Sequence, residues 1–132
     1  MRVWVNGSFD VMHIGHIELL KQASKYGKLR VGLDSDRRIR ELKGTGRPFN
    51  TLQDRYEFMT SIKYVDSIVT FDTTEDLENE MKIWNPDLMV IGSDYIGRPI
   101  VGAHIATTIM FFNKVKDVSS SKILGYENSS NR

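Results

Sequence analysis

The chain has 132 residues, of which 40% are hydrophobic and 27% charged, and it carries a formal charge of +1 at pH 7. That length suits one ordinary domain burying about two-thirds of its unfolded surface around a single core, and the near-neutral charge gives no argument for nucleic acid as a partner, so any basic site must be local. With no cysteine, a disulfide framework, a thiolate metal site and a cysteine nucleophile are all excluded.

The chain opens on a strand-like "RVWV" with no signal-peptide pattern, and no apolar run approaches the length of a membrane span. A cytoplasmic protein without a membrane partner is expected. Val3 to Val5 form a first buried strand. A helix follows from Ile14 to Tyr26, with Ile17, Leu19, Leu20, Ala23, Ser24 and Tyr26 inward and Gly27 where a left-handed C-cap would fall. "LRVGL" is the second strand, and Asp36 to Leu42 a short charged helix.

Two glycines and a proline make "KGTGRPFN", Lys43 to Asn50, a loop. Thr51 restarts a helix with Asp54 at its third position, and Tyr56, Met59 and Ile62 continue its buried face. "SIVTF" is strand three. Thr74 is expected to cap the next helix, with Glu75 and Asp76 in its first turn and Leu77, Met81 and Trp84 facing in, before "NPD" stops it. "LMVIGSD" is strand four, and "TTIMFF" reads as strand five or a continuing helix. "SSSKIL" offers a serine-capped final helix. The alternation predicts an α/β chain, a Rossmann-like, doubly wound parallel sheet of five strands in a single domain over residues 1–124, with a disordered polar tail over 125–132.

In such a sheet ligands sit beyond the carboxyl ends of the strands. The unusual residues fall there: "NGSFD" after strand one, "DSD" after two, "FDTT" after three, "GSDY" after four and "KVKDVSSS" after five. At Asn6-Gly7-Ser8 the missing side chain lets backbone N–H groups approach an anion, and the following helix start adds its dipole. His13 and His16, three apart around Gly15, fall on one side of the first helical turn and point at whatever that loop holds. Asp10, His13 and His16 also have the residue types of a zinc or iron site, but no further carboxylate or histidine lies close in sequence. Ser8 as a nucleophile lacks the Gly-x-Ser-x-Gly elbow.

Gly7-Ser8-Phe9-Asp10 with His13-x-Gly15-His16 resembles the "G-x-F-D-x-x-H-x-G-H" signature of the cytidylyltransferase-like nucleotidylyltransferases, and "SSSKI", Ser119 to Ile123, is similar to that family's "S-T-T-x-I". The likeness spans nearly the whole chain. Within the family, "LKGTGRPFNTLQDR" and "GSDY…IVGA" are similar to stretches of enzymes that activate heptose 1-phosphate with ATP. Glycerol-3-phosphate cytidylyltransferases share the histidine motif, the pattern of Lys63 to Asp66 and the final serine element, but lack "RP-x-N". They carry an arginine shortly before that element, where Lys114 and Lys116 stand here.

The resemblance implies transfer of a nucleotidyl group from a nucleoside triphosphate, ATP or CTP, to a sugar or polyol phosphate. Pyrophosphate leaves by in-line displacement at the α-phosphorus, so positioning and charge stabilisation supply most of the rate. It assigns His13 and His16 to the triphosphate and the backbone of Gly7, Ser8 and Phe9, following Asn6, to the cradle. Lys43 becomes the mobile ammonium that reaches the α-phosphate. Arg47, Arg55 and Lys114 are candidates for substrate phosphate, since a guanidinium fork suits a phosphate edge. Asp94 would read the nucleoside, and Ser119, Ser120 and Ser121 would donate to phosphate at the last helix start. Mg²⁺ is expected between the phosphates, held mostly by nucleotide and water, with Asp10 the candidate protein carboxylate. A homodimer through the Lys63 to Asp66 region is implied. A nucleotide-binding subunit without turnover and a metal-dependent hydrolase using Asp10, His13 and His16 are the readings of other classes.

Overall fold

The structure is a computed structural model and describes residues 1–92 and 99–112. Asp94, Lys114 and Ser119 to Ser121, together with the expected final helix and tail, lie outside the described residues. The elements run β1 (Arg2–Gly7), α1 (Ile14–Ser24), β2 (Lys28–Asp34), α2 (Asp36–Lys43), α3 (Leu52–Thr60), β3 (Ser67–Phe71), α4 (Thr74–Trp84), β4 (Leu88–Gly92) and β5 (Thr108–Phe112). All neighbouring strands are parallel, in the order β3-β2-β1-β4-β5. This is the Rossmann-like sheet expected, and "TIMFF" is a strand.

Both faces of the sheet are covered, so its strands alternate between two cores rather than between core and water. Val3, Val5, Val31, Leu33, Leu88 and Val90 point to the face closed by Leu20 and Ala23 of α1 and Met59 of α3. Trp4, Met89 and Ile91 point the other way, onto Leu77 and Met81 of α4. The order reverses beside β1, which pairs β2 in register Gly7↔Leu33 and β4 in register Trp4↔Met89. That reversal opens the crevice at the carboxyl edge where such folds hold ligands.

Several local expectations need correcting. Helix α4 is capped by Thr73, not Thr74: its hydroxyl accepts from the Asp76 N–H at 3.0 Å, and the Asp76 carboxylate accepts from the Thr73 N–H. The reciprocal bonds need a cap three residues before the acid, which only Thr73 supplies. Helix α1 stops at Ser24, leaving Tyr26 exposed, and Tyr56 is exposed on α3, because the buried stripe is the narrower Leu20, Ala23 and Met59. Gly27 is no left-handed cap. Its φ is +154° and a Cβ there would fall 2.0 Å from the Met1 carbonyl oxygen, so the residue serves close passage of the first residue beside the entry to β2. Gly27→Ala is expected to lower unfolding free energy in urea by about 2–4 kcal/mol, whereas Gly46→Ala, whose Cβ meets nothing within 4 Å, should leave the midpoint unchanged.

Candidate active site at the carboxyl edge of the sheet

The loop after β1 turns sharply. Phe9 takes a left-handed φ of 47° yet is buried, and its ring lies 3.3 Å from where a Cβ on Gly7 would be. The strained turn sends the next residue, Asp10, inward. Asp10 is buried, and its carboxylate accepts three hydrogen bonds: Oδ1 from the Asn50 N–H at 2.8 Å, and Oδ2 from the Phe49 N–H at 2.8 Å and Arg47 Nε at 3.0 Å. The Asn50 side-chain amide also donates to the Asp10 carbonyl oxygen. Burial works to raise this carboxyl's pKa, but the two backbone N–H groups and Arg47 outweigh it, and the group lies below the ordinary 3.8. Asp10 therefore anchors the loop that leads into α3.

A cation at Asp10 would have to compete with Arg47 and two backbone N–H groups for the carboxylate. Among the described residues no group of three or more histidine or acidic side chains could hold a metal ion. Asp10, His13 and His16 do not form such a group.

Arg55 also departs from expectation. Its side chain is 1% exposed, with Nε donating to the Asn50 carbonyl at 3.0 Å, Nη1 to the carbonyls of Ser8 at 3.0 Å and Asp34 at 2.7 Å, and Nη2 to Asp36 Oδ1 at 2.7 Å. Buried, with four of its five N–H groups on these oxygens, the guanidinium presents no exposed fork to a substrate phosphate; it ties the ends of β1 and β2 to the starts of α2 and α3. Arg47, by contrast, commits only Nε to Asp10, and its terminal amino groups meet no acceptor among the described residues.

The two histidines build the start of α1 itself. His13 is the N-cap, its Nδ1 accepting from the Gly15 N–H at 3.1 Å, while His16 Nδ1 accepts from the His13 N–H at 3.1 Å. An imidazole that accepts at Nδ1 carries its neutral-form proton on Nε2, so both rings are set as Nε2–H donors. The rings stand 4.0 Å apart between centroids, and His16 meets Phe9 edge-on at 5.4 Å. Gly15 is required because a Cβ there would lie 2.8 Å from His13 Cε1. In both rings the nitrogen that serves the helix start is Nδ1.

Lys43, the last residue of α2, reaches across to Ser8, its Nζ donating to Oγ at 3.2 Å. The residue as a whole is exposed while its ammonium turns inward. Loss of water around it, with the positive charge of Arg47 nearby, lowers its pKa below 10.5 against the pull of Asp34 and Asp10. Asn6 is held by Trp4, whose indole N–H donates to Oδ1 at 2.9 Å. Ser8 meets Lys43 and Asp10 meets Arg47, whereas Arg55 is withdrawn into the frame.

Sequence reasoning gave no role to Asp34 or Arg38. Asp34 ends β2 with its carboxylate on Arg38 Nε at 2.9 Å, and burial raises its pKa in spite of that partner. The signal was the acid-rich "DSD" after strand two, but an i,i+4 acid–arginine pair across a strand–helix junction leaves no spacing rule to find it by.

Asp10→Leu is expected to cost about 3–5 kcal/mol in urea unfolding, because it leaves the Arg47 charge and two N–H groups buried without an acceptor. With its folded pKa depressed, Asp10 contributes stability that is fully present above the unfolded value near 3.8 and is lost as pH falls through the folded value. Asp10→Asn should therefore flatten the acid limb of the stability curve.

A family model described as cytidylyltransferase-like matches residues 4–125. Bifunctional protein HldE of Campylobacter fetus subsp. fetus is 40% identical over 123 residues, 92% of this chain and 27% of that protein. HldE of Nitratiruptor sp. is 39% identical over 124 residues, with 92% and 26% covered. The chain spans about a quarter of the length of these curated relatives. Among solved structures, the lipopolysaccharide core biosynthesis protein of Thermoplasma volcanium GSS1 superposes with a TM-score of 0.73 at 25% identity, covering 88% of this chain and 98% of that one. A protein of unknown function from Archaeoglobus fulgidus shares the fold at a TM-score of 0.60 and 19% identity, over 86% and 99% of the two chains. No described helix is long and apolar enough to cross a membrane. With the family pattern running through almost all of its length, the chain belongs to the cytidylyltransferase-like family.

Proposed function

We propose that this chain is a nucleotidylyltransferase that moves a nucleoside monophosphate from a nucleoside triphosphate to a sugar or polyol phosphate, with activation of a heptose phosphate by ATP as the favoured case. The observation that carries the reading is the meeting of Lys43 and Ser8 across the crevice, 3.2 Å apart, beside a helix start capped by both histidines. Family membership and the relatives named HldE support it, and the description of the T. volcanium neighbour agrees with sugar activation.

An oxygen of the acceptor phosphate attacks the α-phosphorus, the bond from that phosphorus to the bridging oxygen breaks, and pyrophosphate departs with its electron pair. Two anions must first be held together, so cations and fixed N–H donors do the work and no covalent enzyme intermediate is required. Lys43 places its ammonium over the cradle, the Nε2–H groups of His13 and His16 face the leaving phosphates, and the terminal amino groups of Arg47 take a phosphate edge. The N-terminus of α1 adds its dipole. Arg55 and Asp10 act only by holding these groups in place. In this reading Mg²⁺ enters with the triphosphate and water rather than through a protein cage.

Incubating ATP or CTP and Mg²⁺ with heptose 1-phosphate or glycerol 3-phosphate should release pyrophosphate for at least one pair; no release from any pair would sink the reading. His16→Asn keeps an acceptor for the His13 N–H but removes Nε2–H, and should lower kcat by about 10²–10³-fold with the melting temperature held. The Lys43 charge is needed in its protonated form, so kcat/KM should fall as pH rises through a value below 10.5, and Lys43→Met should abolish that alkaline limb.

A further inference from the structure

Trp4 is fully buried in the core between the sheet and α4, yet its indole carries an N–H that must find an acceptor or cost the protein the desolvation of that group. The acceptor is Asn6 Oδ1, at 2.9 Å. The two residues lie two apart on β1 and share a face of the sheet, and Asn6 is the penultimate residue of the strand, opposite Gly32 and next to Gly7 of the cradle.

The indole cannot swing away. It lies over Gly32, where a Cβ would fall 2.8 Å from Trp4 Cζ2, and it packs against Trp84 with centroids 6.3 Å apart. Trp84 is fixed in turn by the guanidinium groups of Arg30, 4.7 Å from its ring centroid, and Arg2, at 5.9 Å. A fixed indole N–H permits only one orientation of the Asn6 amide, since the flipped one sets N–H against N–H. The oxygen faces the core, so the amino group of the half-buried Asn6 faces the other way, and it meets no acceptor among the described residues.

We infer that the Asn6 side-chain amide is a fixed donor for a phosphoryl oxygen of the bound substrates, and that Trp4 is the positioning residue that aims it. The inference rests on the nucleotidyl-transfer reading for the identity of the ligand. It extends that reading from the backbone of the cradle to a side chain and its buried support. The plainer role for Asn6, satisfying the indole and nothing else, predicts different behaviour.

The test is calorimetric binding of ATP, inorganic pyrophosphate and glycerol 3-phosphate, each with Mg²⁺, to wild type, Asn6→Ala, Asn6→Asp, Trp4→Phe and the Trp4→Phe/Asn6→Ala double variant, with melting temperatures alongside. Asn6→Ala should raise Kd about 10-fold for a phosphate ligand. Asn6→Asp, which still accepts from the indole but turns an anionic oxygen outward, should raise it further. Trp4→Phe should raise it about 3-fold by freeing the amide to rotate, and should add less than about twofold once Asn6 is alanine. Loss with pyrophosphate and ATP assigns the oxygen to the nucleotide, and loss with glycerol 3-phosphate alone assigns it to the acceptor. Wild-type affinities in Asn6→Ala and Asn6→Asp with only the melting temperature changed would overturn the inference, as would effects at Trp4 and Asn6 that multiply independently. Because binding is read apart from turnover, a wild-type protein that binds these ligands but releases no pyrophosphate defeats the transfer reading and leaves the amide to be judged on the affinities.

Discussion

A buried guanidinium has to be surrounded by oxygen, and around Arg55 those oxygens come from Ser8, Asp34, Asp36 and Asn50. Each belongs to a different segment at the carboxyl edge, so a single side chain on α3 sets how the loop after β1, the end of β2, the start of α2 and the loop before α3 stand relative to one another. Asp10 mirrors it: a buried carboxylate surrounded by N–H groups from the loop that Arg55 grips at Asn50. Paired or well-bonded buried charges are poor contributors to net stability but severe to break, which makes them suited to fixing geometry. In the proposed reading, Lys43 and Arg47 then keep part of their donor capacity for a phosphate because other charges hold the frame.

The start of α1 economises differently. Most helices take a serine, threonine, aspartate or asparagine as cap; here imidazoles do so through Nδ1, and the bond that closes the helix also fixes ring orientation and tautomer. Gly15 then acts as clearance for the His13 ring, and its absence of side chain matters through space rather than through backbone freedom.

Much of the architecture was legible in the chain because a parallel sheet covered on both faces needs uninterrupted apolar strands, and "VWV", "LRVGL", "SIVTF" and "LMVIG" announce themselves. The glycine turn and the paired histidines were legible for the same reason: their spacing is local. What sequence could not show was how charges separated by tens of residues would be shared out. Arg47 and Arg55 look alike as loop-flanking arginines, and only the fold decides that the amino groups of one meet no acceptor among the described residues while the other is consumed by carbonyls and the Asp36 carboxylate. Asp10 likewise shows only its residue type in the sequence, and the fold is what brings the Phe49 and Asn50 N–H groups to it. The shift from Thr74 to Thr73 was a choice between adjacent threonines that only the reciprocal bond with Asp76 resolves.

The order of strands has a bearing on how the chain comes to be folded during its own synthesis. β1 finds β2 early, since only α1 lies between them, but its other neighbour is β4, which begins at Leu88. Until that segment leaves the ribosome, one backbone edge of the central strand lacks its partner, and Trp4 lacks Met89 to lie against. The crevice beside β1 is therefore among the last parts of the molecule to take shape, closed by contacts between residues far apart in time as well as in sequence, which is the costly end of folding for parallel sheets.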